Sequence, residues 1–175
     1  MQAMVCLSWA WGWHRTAVLL WLAFEALLRP GEVASLPRGR ARLPGLAEIR
    51  AGQVGVLSIT KAKTSARGAR LQSAVVACPA LMLGLHLLFA SSGARELLCP
   101  GGTRGFSLRF AALCRALGLG DTFSPACLRG GGAVHHFLQH QNLGSLQFAG
   151  RWESADSLKH YLQHGLSVEA WLDIQ

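Results

Sequence analysis

The stretch Thr16-Ala17-Val18-Leu19-Leu20-Trp21-Leu22-Ala23-Phe24 carries no charge between Arg15 and Glu25. It constrains this chain more than any other segment. A bilayer span needs about 20 apolar residues, so the stretch is too short to cross a membrane. It also lacks the basic leader and small-residue cleavage site of a signal peptide. What remains is a helix buried in the core of a folded domain. The pattern runs on through Glu25-Ala26-Leu27-Leu28-Arg29 and is expected to stop at Pro30-Gly31, which disfavour continuation. With 175 residues and 51% apolar content, the chain can build one hydrophobic core and does not read as a disordered tail.

The elements after that helix follow from pattern and punctuation. Residues 36–50 are rich in Pro, Gly and Arg and read as a basic connection. Residues 54–59 and 69–76 read as two short strands around a polar turn with Lys61, Lys63 and Arg67. Arg70 is the second residue of the second strand, so a β-hairpin with a cationic tip follows. Pro79 opens a helix through Leu81, Leu85, Leu88 and Phe89. Another helix is expected over 108–117. Ser124-Pro125 has the form of a helix start, a hydroxyl cap followed by proline. Yet Gly130-Gly131-Gly132 comes next, and each glycine costs about 1 kcal/mol in a helix interior. Either the backbone approaches a neighbour closely there or the helix is interrupted.

Val134, Phe137 and Leu138 then resume an apolar face. A short turn through Leu143, Leu146 and Phe148 leads to Gly150. Ser154 caps a helix with Leu158, Tyr161 and Leu162, and after Gly165 a tail, 166–175, carries Val168, Trp171 and Leu172 on one face. The fold class expected is mainly α with a small β-hairpin or sheet, that is, α+β.

The formal charge of +8 and pI of about 10.1 point to a polyanionic partner, because Lys and Arg gain affinity by releasing counterions from phosphates. Five scattered cysteines with no CxxC pair support neither a disulfide framework nor a zinc knuckle, and favour a reducing compartment. His136 and His140 stand four apart but no third ligand is evident, so they read as a solvated helix face and no metal is expected.

Tyr161 is the single tyrosine, nine residues after Trp152. Taken singly, Arg29 reads as a helix-end charge, Lys61 and Lys63 as solvated turn residues, Arg129 as surface and Trp152 as core. Taken in order, they resemble the catalytic domain of the tyrosine recombinases (the phage-integrase family). Arg29-Pro30-Gly31-Glu32 matches the arginine motif that closes a helix, and Lys63 matches the hairpin lysine, with Lys61 the other candidate. Cys127-Leu128-Arg129 matches the H-x-L-R motif except at its head, where Ala126 replaces the histidine. Trp152, 23 residues after Arg129, matches the His/Trp position, and Tyr161 the nucleophile. The glycines after Arg129 and the Gly150-Arg151-Trp152 triplet are closer to recombinases of eukaryotic mobile elements.

The resemblance covers 19–165, with 1–18 as an extension and start of the first helix. It implies a DNA breaking-rejoining fold and strand cleavage and rejoining through a 3′-phosphotyrosyl intermediate, for recombination or integration. No cofactor is implied. Arg29, Lys63, Arg129, Trp152 and Tyr161 would be catalytic, Glu32 and Lys61 supporting, and Arg67, Arg70 and Arg151 DNA-binding. His160 and His164 flank the nucleophile. A methyl at Ala126 cannot carry a proton, so acid/base help expected there is missing. Three alternatives stay open: a non-catalytic DNA-binding remnant, type IB topoisomerase-like relaxation, and a basic interaction protein with no DNA role. Double-stranded DNA is the expected partner, with a homo-oligomer assembling on it, no membrane, and an intracellular setting, nuclear in a eukaryote. Only about 18 residues precede the match, so the additional N-terminal clamp domain is not expected within this stretch, and DNA affinity should be weak and salt-dependent.

Overall fold

A computed structural model describes residues 1–59 and 72–172. The charge-free stretch forms the centre of it. Helix α2 (His14–Glu25) buries Ala17, Leu19, Leu20, Leu22 and Ala23 almost completely. It packs against α1 (Gln2–Ala10), α5 (Pro79–Phe89) and α7 (Cys127–His140). A helix apolar on every face belongs inside, and this one is inside.

The expected stop at Pro30 is corrected. Helix α2 ends at Glu25, and Leu27 turns into the left-handed region with φ of 51°. The Leu28 amide reaches back to the Ala23 carbonyl at 3.0 Å. Pro30 opens a new helix, α3 (Pro30–Ala34), with Arg29 extended before it. A proline disfavours the α conformation in the residue preceding it and suits the first helical position. Arg29 is therefore the N-cap of α3, not the last residue of the long helix. Left-handed backbone at a leucine costs roughly 1–2 kcal/mol, and it is held because the Leu27 side chain is buried.

The hairpin forms part of a three-stranded antiparallel sheet: β1 (Ala41–Arg42), β2 (Gly55–Ile59) and β3 (Gln72–Val76), in that order. Leu57 pairs with both Ala41 and Ala74, and Leu57, Ile59, Ala74 and Val76 face the core by strand alternation. The basic connection is more ordered than its composition suggests. It holds a 3-10 turn at Arg38–Arg40, then β1, then α4 (Leu46–Arg50). Arg38 pins the turn by donating to the Phe89 and Ala41 carbonyls at 3.2 and 2.9 Å. The cationic tip with Lys61, Lys63, Arg67 and Arg70 lies outside the described residues.

Pro79 starts α5 as expected. Helix α6 (Gly102–Ala116) begins six residues before the expected Leu108 and buries Phe106, Phe110, Leu113 and Cys114 along one stripe. Ser124 does not cap the next helix. Ser124 and Pro125 form a turn ahead of α7, with the Cys127 amide on the Ser124 carbonyl at 3.0 Å.

The glycine run does not interrupt α7, because it is the surface on which α7 meets α2. A Cβ on Gly132 would overlap the Phe24 carbonyl oxygen and lie 2.9 Å from Leu27 Cδ2. Gly132→Ala is expected to cost about 1–3 kcal/mol by overpacking, lowering Tm by about 5 °C for a chain of this size. A thermal melt monitored by circular dichroism checks this, and an unchanged Tm contradicts the contact.

The last two elements differ in extent from their expected forms. The turn before Gly150 is an eight-residue helix, α8 (Leu143–Gly150), capped by Asn142 Oδ1 accepting from the Ser145 amide at 2.9 Å. Helix α9 (Ala155–Leu172) starts with Ser154 Oγ accepting from the Ser157 amide, as expected. It does not break at Gly165 but continues through it, because that glycine faces Val134 of α7 where a side chain would collide. The side chains of Val168, Trp171 and Leu172 lie outside the described residues. Leu27, Ala133, Leu146, Trp152, Leu158 and Leu162 form a second apolar cluster joining α7, α8 and α9. Among the described residues, no helix is long and apolar enough to cross a membrane.

Candidate active site

Three chain breaks meet at the edge of that second cluster: the left-handed turn at Leu27, the start of α3, and the end of α8. Each delivers one charged group. Arg29 donates its amide to Glu32 Oε2 and its Nη1 to Glu32 Oε1, both at 2.9 Å. Arg151 closes α8 in the left-handed region, with φ of 58°, and donates Nη2 to Glu32 Oε2 at 2.7 Å. The Glu32 side chain is 2% exposed, so one buried carboxylate is shared by two guanidiniums. Glu32, expected to pair with a basic neighbour and orient Arg29, contacts both Arg29 and Arg151. Arg151, expected to bind DNA, is turned away from solvent here. Its side chain is 7% exposed, because the left-handed turn folds it inward onto Glu32.

Arg129 enters from the first turn of α7. It is buried, and its fork is held by two carbonyls that helix ends leave without intrahelical partners. Nη1 donates to Leu27 at 2.7 Å and Nη2 to Gly150 at 2.6 Å. Its guanidinium carbon lies 4.3 Å from the centre of the Trp152 ring, a cation–π contact. Burial, then the charges of Arg29 and Arg151, push its pKa down to about 10, with Glu32 and Tyr161 opposing. Taken singly this arginine reads as surface, yet among the described residues it is one of the few buried charges.

Trp152 is buried and lies over Gly150, whose missing side chain gives the ring its place. Beyond it stands Tyr161, its ring centre 6.0 Å from that of Trp152 and tilted by 60°. Gly130 of α7 backs the other side of the phenol ring, with ordinary van der Waals spacing to where a Cβ would be. Leu158 and Leu162 of α9 are buried while Tyr161 is 45% exposed. The helix is anchored by its leucines and turns its phenol outward beside the arginines.

The structure therefore brings together Arg29, Glu32, Arg129, Arg151, Trp152 and Tyr161. Lys63, Lys61, Arg67 and Arg70 lie outside the described residues, as do the side chains of His160 and His164. Ala126 is exposed at the start of α7 and presents only its methyl group. The Leu27 and Gly150 carbonyls escape sequence reasoning, and their one signal was the glycine-rich spacing around Arg129 and Arg151. His136 and His140 are four apart with ring centres 4.6 Å apart. His136 is half-buried rather than solvated, and burial, then the neighbouring His140, lower its pKa. Among the described residues, no group of three or more His, Cys, Asp or Glu is placed to hold a metal ion. A cleft of about 610 Å³ adjoins the cluster, lined in part by Gln72, Ser73, Ser145, Gln147, Arg151 and Trp152.

No family model matches the sequence, and no curated protein does. Solved structures do match. XerA recombinase superposes with a TM-score of 0.69 at 13% identity, over 92% of this chain and 55% of that one. The Tn1549 transposon integrase, in complex with transposon right-end DNA, gives 0.69 at 10% identity over 91% and 58%. XerH site-specific recombinase, bound to its difH substrate before cleavage, gives 0.63 at 14% over 85% and 43%. The chain spans about half the length of these structures. It has the fold of the tyrosine recombinase catalytic domain.

Proposed function

Starting from a chain folded like the catalytic domain of a tyrosine recombinase, we propose that it binds double-stranded DNA and cleaves and rejoins one strand through Tyr161. One observation carries this reading. A buried guanidinium, locked by two carbonyls and a tryptophan face, stands beside the half-exposed phenol of the only tyrosine in the chain. A locked fork of N–H donors costs little to reorganise and favours a phosphorus centre as negative charge builds on it.

In the proposed step the Tyr161 oxygen bonds to phosphorus and the bond from phosphorus to the 5′-oxygen breaks. The product is a 3′-phosphotyrosyl link and a 5′-hydroxyl. Lys63, or Lys61, protonates the leaving oxygen as general acid. The phenol proton passes to water, since Ala126 supplies no acceptor. Attack by a 5′-hydroxyl on the phosphotyrosine reverses the step, so no external energy source is needed. Arg29 and Arg129 hold the phosphate, Trp152 packs beside it, and Arg67 and Arg70 meet the DNA backbone. The matched region, 19–165, is the catalytic unit, and assembly of copies on DNA, for recombination or integration, belongs to the same reading.

The test is covalent trapping on a pool of nicked duplexes of mixed sequence, read on a denaturing gel. The expected product is a protease-sensitive adduct at a DNA 3′ end. Retention of the pool without any adduct refutes cleavage and leaves a DNA-binding module, the reading that the methyl of Ala126 favours. Supercoil relaxation without joined products identifies topoisomerase-like action instead. Restoring a proton carrier with Ala126→His should raise the adduct rate by about 10²-fold, the usual scale of acid/base help. A rate unchanged by that substitution contradicts the assignment of the position.

A further inference from the structure

Glu32 is one carboxylate between two guanidiniums, and the two are not equivalent. Arg29 keeps 25% of its side chain exposed, whereas Arg151 keeps 7%. Of these two, Arg29 is the more open to a ligand from solvent. Arg151 sits behind Glu32, and among the described residues its buried Nε and Nη1 have no acceptor. A residue placed only to tie α8 to α3 would need one charged contact, and it would not hold two buried donors unmade, since buried donors are costly to leave unsatisfied. Its backbone is also in the left-handed region that non-glycine residues rarely adopt. Strained backbone and unmade bonds concentrate where a chain serves a site rather than its own packing.

We propose that Arg151 is a positioning residue that acts through Glu32 on Arg29: by holding part of the carboxylate, it keeps Arg29 from being neutralised and leaves it available to a phosphate. The inference deepens the reading above and rests on Arg29 meeting an anion there. Without Arg151, Glu32 belongs to Arg29 alone, the pair closes into a neutral unit, and anion affinity drops. Without Arg29, there is nothing for Arg151 to release, and its loss has little effect on the anion.

A double-mutant cycle on the full chain tests this, with inorganic phosphate and a short mixed-sequence duplex as probes and titration calorimetry as readout. Arg151→Met is expected to weaken phosphate binding by about tenfold in the parent and by less than about twofold in the Arg29→Ala background, the size of coupling usual for residues sharing one network. Arg151→Lys keeps a cation against Glu32 and should stay within about threefold of the parent; it remains informative if Arg151→Met fails to fold. Equal losses in both backgrounds overturn the proposal, because Arg151 then acts on the anion directly or only on the framework. So does full loss in a folded Arg151→Lys, or absence of phosphate binding by the parent. Phosphate binding with the expected pattern but no DNA adduct refutes cleavage and supports this inference. Adducts together with additive losses do the reverse.

Discussion

Tyr161→Phe should abolish the covalent protein–DNA adduct while leaving retention of the same duplex within about twofold of the parent, as expected when only a group engaged in bond making is lost. The loss should be complete, because the chain has no second tyrosine to take over. Binding should survive, because the substitution removes one oxygen from a side chain that is 45% exposed. The ring keeps its place against Trp152 and Gly130. Stability should change by less than about 0.5 kcal/mol, the range of surface substitutions away from special features. An adduct of undiminished yield in Tyr161→Phe would show that another group attacks phosphorus. Loss of DNA retention along with the adduct would show that the phenol is a binding contact instead.

Glu32→Ala should be the most destabilising substitution in the site, at about 3–5 kcal/mol, because it leaves the buried Arg151 guanidinium with no counter-charge. The carboxylate is 2% exposed and receives three donors, from the Arg29 amide, Arg29 Nη1 and Arg151 Nη2. For a chain of this length the loss corresponds to a Tm lower by roughly 6–20 °C. The cause is the uncompensated charge more than the missing bonds, so removing both partners should cost less than removing one. Glu32→Leu combined with Arg151→Met should therefore recover most of the Tm lost in Glu32→Ala, since apolar replacement of a buried pair is often close to neutral. Urea unfolding of the single and double variants measures both. A single variant within about 0.5 kcal/mol of the parent, the range of surface sites, would contradict the burial of this pair.

Much of the fold can be read from local pattern. The charge-free segment of α2, the start of α5 at Pro79, the two strands and the Ser154 cap are set by residues close together in sequence, where periodicity and capping act. Pro30 and Gly165 have local readings as a stop and a break, and in both cases a preceding or distant segment decides otherwise. Pro30 starts a helix because Leu27 already turned the chain, and Gly165 stays helical because Val134 of α7 packs on it. The glycines of α7 left two possibilities open, and only the position of the Phe24 carbonyl distinguishes them.

The same division runs through the site. Arg29, Glu32, Arg129, Trp152 and Tyr161 were singled out by the resemblance of their order and spacing to the recombinase motifs, and the fold brings these side chains together. Arg151 was identifiable only as a cation. Whether it faces solvent or a carboxylate depends on the direction of the turn after α8, and on Glu32 lying at the start of a helix 119 residues away. The sequence alone determined which chemical groups are present, which helix must be buried and where the phenol stands relative to the tryptophan. Tertiary structure alone decided which of those charges are desolvated, since burial comes from segments remote along the chain. That desolvation drives the pKa of Arg129 down to about 10 and makes Glu32 the shared partner of two arginines.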